Sequence, residues 1–208
     1  MANSDSKAIE GYHHGNLKGA LIKQAILLIQ KTSIEKISLR ALAAELGVSH
    51  NAPYMHFKSR EALLAAIAEE GFTRLAKEFD KLGDVGRTSA NWEQDFTTGC
   101  KVYISFGDKN PELFRVMFME HDISRFPSYL DTSLSTLTFL SDYIQRGQDF
   151  GLIKKEPVET QVNFILAGLH GLALLHGGRT RDRTTYTKKT REQLIDACIA
   201  YSLAGIRS

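Results

Sequence analysis

Residues Ser38 to Arg60 read Ser-Leu-Arg-Ala-Leu-Ala-Ala-Glu-Leu-Gly-Val-Ser-His-Asn-Ala-Pro-Tyr-Met-His-Phe-Lys-Ser-Arg. Leu39, Leu42, Ala43 and Leu46 recur at i, i+3, i+4 and i+7, so they share one face of a short helix. Ser38 stands where an N-cap is needed, and Gly47 where the helix needs a left-handed residue to stop. Val48 is apolar and can plug the gap to a second helix, which starts on Ser49 as N-cap and runs to about Phe57. That second helix is too short to bury much, and its open face of His50, Asn51, Tyr54, Met55 and His56 is mostly polar or hydrogen-bonding. Two short helices joined at a tight turn, the second with such a face, imply a helix-turn-helix that lies in a DNA groove.

The charge pattern points the same way. The chain carries a net charge of only +2, yet residues 11–60 hold seven Lys or Arg (18, 23, 31, 36, 40, 58, 60) against two acidic residues (35, 45). Residues 61–208 sum to −2, so the positive charge gathers around the helix-turn-helix. Phosphate neutralisation dominates non-specific DNA affinity, and this asymmetry favours a nucleic-acid partner. At 208 residues with 43% apolar content, the chain can bury a large core. No apolar run approaches the roughly 18 residues that span a membrane, and Met1 to Gly11 lacks an apolar signal region, so a cytoplasmic location is expected. The two cysteines, Cys100 and Cys198, read as buried thiols in a reducing compartment.

Working outward, residues 1–12 read as a disordered arm. Helices are predicted at about Asn16–Lys31, Ser38–Leu46, Ser49–Phe57, Ser59–Leu82, Ser89–Phe106, Pro111–Met119, Pro127–Gln148, Glu159–Leu175 and Lys188–Gly205, punctuated by Gly and Pro clusters. A polar loop rich in Arg and Thr is expected at 179–187. No stretch alternates as a strand does. About nine helices and no sheet give an all-α protein: a three-helix unit over residues 13–60, then a connector helix and larger bundle over 61–208.

The run from Leu39 to Ser49, with Tyr54, His56, Phe57, Arg60 and Leu63-Leu64 after it, resembles the TetR family of bacterial transcriptional regulators. Family members show an Ala-x-x-x-Gly-Val-Ser core and a Tyr-x-His-Phe followed by a basic residue. Ala43, Gly47-Val48-Ser49, Tyr54-Met55-His56-Phe57 and Arg60 match. The resemblance departs at Pro53, where the family has Leu; a proline this early in a helix forfeits at most one backbone bond. Leu169-His170-Gly171 stands where one branch of the family carries Trp-His-Gly, with Leu in place of Trp.

The resemblance implies a homodimer on double-stranded operator DNA and a small-molecule inducer held in the C-terminal bundle. The candidate DNA surface is Ser38, Arg40, Ser49, His50, Asn51, Ala52, Tyr54, Met55, His56, Lys58 and Arg60. Of these, His50 and Asn51 open the recognition helix and face base edges, while Tyr54, His56, Lys58 and Arg60 hold phosphates. A core position is the lesser alternative for Tyr54, and Phe57 reads as core. Candidate pocket residues are Trp92, Phe96, Tyr103, Phe114, Phe118, Phe139, Tyr143 and His170, which either line an apolar or aromatic ligand or simply fill a core. Candidate dimer contacts are Ile165, Leu169, Leu172, Leu194, Cys198 and Ile199 on the last two helices.

Metal and catalytic chemistry find little support. His170 and His176 are six residues apart, about 240° around a helix, and cannot share a ligand face. His121 and His13-His14 have no clear partners, and no metal or other cofactor is expected. There is no nucleophile elbow, phosphate-cradling glycine loop or spaced carboxylate pair, so no enzymatic activity is expected. The reading is therefore a transcriptional regulator, a repressor released by an inducer. The alternatives are a DNA-binding regulator without inducer and, in another class, an all-α enzyme.

Overall fold

The computed structural model describes residues 16–83, 88–119, 125–176 and 190–208. The expected 1–12 arm and the 179–187 loop lie outside the described residues, as do His13, His14 and His121. Among the described residues there is no β-strand, only an isolated antiparallel pairing of Ile153 with Arg207. None of the described helices is long and apolar enough to cross a membrane. The protein is all-α, as the sequence predicts.

Helix α1 (Leu17–Lys31) starts on Asn16, whose Oδ1 accepts the Gly19 N–H at 3.0 Å. It buries Leu21, Ala25, Ile26 and Ile29. A single 3₁₀ turn (Ile34–Lys36) leads to α2 (Leu39–Glu45), and the Ser38 hydroxyl accepts the Ala41 N–H at 3.1 Å as the expected cap. Gly47 closes α2 at φ +64°, a conformation that a side chain disfavours. The Val48 N–H then reaches the Ala43 carbonyl at 3.0 Å and the Gly47 N–H the Ala44 carbonyl at 3.2 Å. This paired closure satisfies two carbonyls that the helix end leaves open.

The third expected helix takes a tighter form. Residues Ala52–Met55 make a 3₁₀ turn, with N–H bonds from Ala52 to Ser49, Tyr54 to Asn51 and His56 to Pro53 at 3.0, 3.1 and 3.0 Å. Pro53 has no N–H for the carbonyl of Ser49 or His50, and its ring disfavours α geometry at Ala52. The proline thus costs more helical geometry than the one forfeited bond expected. Asn51, rather than Ser49, occupies the N-cap position, and it makes no side-chain capping bond. Pro53 and Phe57 are buried and anchor the turn on the core of this unit.

Helix α3 (Arg60–Asp80) is capped by the Ser59 hydroxyl, which accepts the Ala62 N–H at 3.2 Å. At 21 residues it is about 30 Å long. It packs on α1, α4 (Trp92–Lys109), α5 (Pro111–Met117) and α6 (Pro127–Asp149). Gly71 lets α3 and α5 meet: a Cβ there would stand 2.5 Å from Met117 Cγ. Helices α7 (Val158–His176) and α8 (Arg191–Ile206) complete the bundle. Arg191 fixes the start of α8, donating to both Asp108 oxygens at 3.2 and 2.5 Å and to the Leu172 carbonyl at 3.1 Å. One continuous apolar core runs from Leu21 in α1 to Ile206 in α8, so the N-terminal unit and the bundle are joined through α3 rather than merely tethered.

Burial corrects the expected dimer contacts. Ile165, Leu169 and Ile199 are 0, 2 and 2% exposed inside the protomer and have no surface to offer a partner. These central residues of α7 and α8 pack on the rest of the bundle instead. Leu172, Leu194 and Cys198 stay half-buried. Among the described residues, the large apolar side chains left open on these helices are Phe164, Leu174 and Tyr201.

Candidate nucleic-acid interface and ligand cavity

α2 and the recognition turn stand side by side, and their outer edges form one surface. Arg40, Ser49, His50, Asn51, Tyr54, Met55, His56 and Lys58 are all exposed on it, with Met55 at 80%. Among the described residues, no hydrogen bond or ion pair occupies the side chains of Arg40, His50, Asn51, His56 or Lys58. Ala52 is half-buried. Tyr54 is 42% exposed, which places it on this surface and not in the core. Ser38 is exposed, but its hydroxyl already caps α2. A surface of cations, amides and imidazoles without internal partners can meet phosphates and base edges.

Arg60, expected at phosphates, is turned inward. Its Nε donates to the Ile37 carbonyl at 3.0 Å and its Nη2 to the Ile34 carbonyl at 2.7 Å. It thereby ties the first turn of α3 to the connection before α2. Sequence spacing could not show this, because the bonds close loops of 23 and 26 residues.

The bundle contains a cavity of about 40 Å³ between α3, α4, α6 and α7. Of the expected pocket residues, Phe96, Tyr103, Phe139 and Tyr143 line it. Trp92, Phe114, Phe118 and His170 do not. Trp92 stacks on Phe96 behind the cavity wall, with ring centroids 5.5 Å apart. His170 sits in a separate aromatic cluster, 4.4 Å from the Phe118 ring centroid and 5.2 Å from that of Phe114. Leu75, Phe79 and Leu140 line the cavity and were missed, although Leu75 and Phe79 lie one helical turn apart on α3. Phe79 and Phe139 stack at 4.9 Å with an interplanar angle of 15°, holding α3 against α6 at its edge.

Burial keeps the protic groups here neutral. It pushes the Cys100 thiol up to about 12 and the Tyr103 and Tyr143 phenols above their ordinary range. Cys100 is therefore an inert core thiol. Burial also lowers the His170 imidazole, whose Nδ1 lies 3.0 Å from the Tyr103 hydroxyl. With the phenol protonated, the hydroxyl can donate to a neutral Nδ1. No group of three or more His, Cys, Asp or Glu among the described residues is arranged to hold a metal ion.

Residues 21–67, which carry α2, the recognition turn and the start of α3, match the model of the bacterial regulatory proteins, tetR family. That segment is similar to the corresponding part of the tetR family. The fold around it is shared by the structure of a TetR family protein from Vibrio parahaemolyticus, with TM-score 0.68 and 16% identity over 92% of this chain and 98% of that chain. The chain is 43% identical over 54 residues to the tetracycline repressor protein class C of Escherichia coli, a match covering 26% of this chain and 25% of that protein. It is 33% identical over 107 residues to the nucleoid occlusion factor SlmA of Alteromonas mediterranea, covering 47% of this chain and 49% of that one. The likeness to these curated relatives thus spans half of their length or less. A structure of a protein with unknown function from Rhodococcus sp. RHA1 is similar throughout, with TM-score 0.78 and 26% identity over 96% of this chain and 100% of that chain.

Proposed function

We propose that this protein is a cytoplasmic, homodimeric DNA-binding regulator of the tetR family, a repressor that a small apolar or aromatic molecule releases from its operator. The observation that carries the reading is the exposed surface of Arg40, His50, Asn51, Tyr54, His56 and Lys58, raised on α2 and the recognition turn. Asn51 offers an amide pair that fits adenine, and Lys58 offers a point charge for a phosphate. Two copies reading two half-sites need a two-fold interface. Phe164, Leu174 and Tyr201, exposed on α7 and α8, supply the apolar surface for it.

The inducer site is the cavity lined by Phe96, Tyr103, Phe139 and Tyr143. At about 40 Å³ it is far smaller than the roughly 300–1,000 Å³ of a filled small-molecule site. A ligand must part the Phe79–Phe139 stack, and that separates α3 from α6. Because α3 packs on α1 and begins five residues after the recognition turn ends, its displacement moves the DNA surface. Ligand and operator then weaken each other's binding by the same factor.

Selection of bound duplexes from a random pool tests the reading and yields the operator. Enrichment of a two-half-site sequence is expected. Failure to enrich any duplex, with folded protein, would remove the DNA-binding assignment.

A further inference from the structure

A groove of about 620 Å³ lies on the outer side of α3 and α4, away from the aromatic cavity. Arg74, Lys77 and Lys81 line it from α3 and its end, and Lys101 and Lys109 from α4. Glu78 is the one carboxylate among the lining residues described. Five cations against one acid stand out in a region, residues 61–208, whose net charge is −2. Lys77 and Lys109 have no ion-pair partner among the described residues. The others are paired only at the surface: Arg74 with Glu70 at 2.8 Å, Lys81 with Glu78 at 2.6 Å, and Lys101 with Asp196 at 2.8 Å. Such exposed pairs are weak and yield to a competing anion. Half-buried Val102 and buried Phe106 line the groove between the cations.

We propose that this groove is a second small-molecule site, which takes a phosphate-bearing polyanion between the cations of α3 and α4. Several charges on two facing helices suit a ligand with more than one phosphate charge, since each lysine acts as a point charge and Arg74 as a planar fork. The volume is that of a small-molecule site. Arg74 and its partner Glu70 also line a cleft against α1, with Asn16, Ala20 and Lys23. An anion that draws Arg74 from Glu70 therefore acts on a side-chain pair that borders the N-terminal unit across this cleft.

Titration calorimetry of the full chain with inorganic tripolyphosphate tests the proposal. The DNA surface is also basic, so a variant of that surface is titrated in parallel. Tripolyphosphate should bind the parent, and Lys77→Ala with Lys109→Ala should weaken it at least tenfold, while Arg40→Ala with Lys58→Ala leaves that affinity within twofold. Both pairs are exposed, and unchanged circular dichroism and melting confirm folding. Equal affinity of the parent and the Lys77→Ala, Lys109→Ala variant overturns the site, as does loss confined to the Arg40→Ala, Lys58→Ala variant. Neither result bears on operator selection, so the two readings fail separately.

Discussion

Trp92 and Tyr143 exchange hydrogen bonds across 51 residues: the indole Nε1 donates to the Tyr143 carbonyl at 2.9 Å, and the Tyr143 hydroxyl donates to the Trp92 carbonyl at 2.9 Å. Both residues are buried at 2% exposure. The pair fastens the first residue of α4 to the last third of α6, beside the cavity that Tyr143 helps to line. Buried polar groups lose most when one partner is removed. Tyr143→Phe should therefore lower unfolding free energy by about 1–2 kcal/mol, with Trp92→Phe non-additive to it. Urea unfolding of both single variants and the double variant measures the coupling. Strict additivity would show that the two bonds act independently.

Arg60 and Lys58 lie two residues apart, yet different outcomes are expected. Arg60→Ala removes two bonds from a guanidinium to main-chain carbonyls, so it should cost about 2 kcal/mol of stability. It should leave the salt dependence of DNA binding unchanged. Lys58→Ala should leave the melting temperature alone and flatten the plot of log K against log salt by about one. Asn51→Ala should cost about 1–3 kcal/mol on operator and relax preference at particular base pairs. Melting curves and binding isotherms at several salt concentrations check all three. A flatter slope for Arg60→Ala would mean that its side chain leaves the carbonyls for DNA.

Burial separates two kinds of charge insertion on α7 and α8. Ile199→Glu places a carboxylate at a site 2% exposed and should unfold the protomer. Tyr201→Glu, at a site 73% exposed, and Phe164→Glu, at 52%, should keep helical content while weakening the proposed dimer. Sedimentation velocity together with circular dichroism distinguishes the outcomes. Folded dimers from both exposed-site variants would place the interface elsewhere.

His170 gives stability a dependence on pH. Burial lowers its pKa from the ordinary 6.5, so between the folded and unfolded values the unfolded chain binds the extra proton. The contribution is present above pH 6.5 and is lost as pH falls through the lower folded value. Melting temperature should thus decline on acidification below 6.5, and His170→Phe should flatten that decline. Parallel curves for the parent and the variant from pH 7.5 to 5 would exclude His170 as the source.

The sequence by itself determined the helical class, the capped α2 and the glycine turn. These rest on local spacing, on the Ser38 hydroxyl three residues from the N–H it accepts, and on the φ that Gly47 alone adopts freely. It also determined which residues of the recognition segment face outward, because a unit so short can bury little more than Pro53 and Phe57 there. The tertiary structure decided what long-range partners impose. Arg60 looks the same in sequence as a phosphate-binding arginine until the fold brings the Ile34 and Ile37 carbonyls to it. Aromatic residues at helical spacing look alike whether they line a cavity, as Phe139 does, or close a core, as Phe114 does. Ile199 and Tyr201 are both apolar-bodied residues of α8, but two residues along a helix are about 200° around it. One of them meets the bundle and the other solvent, and the periodicity of a helix that is apolar on several sides cannot say which.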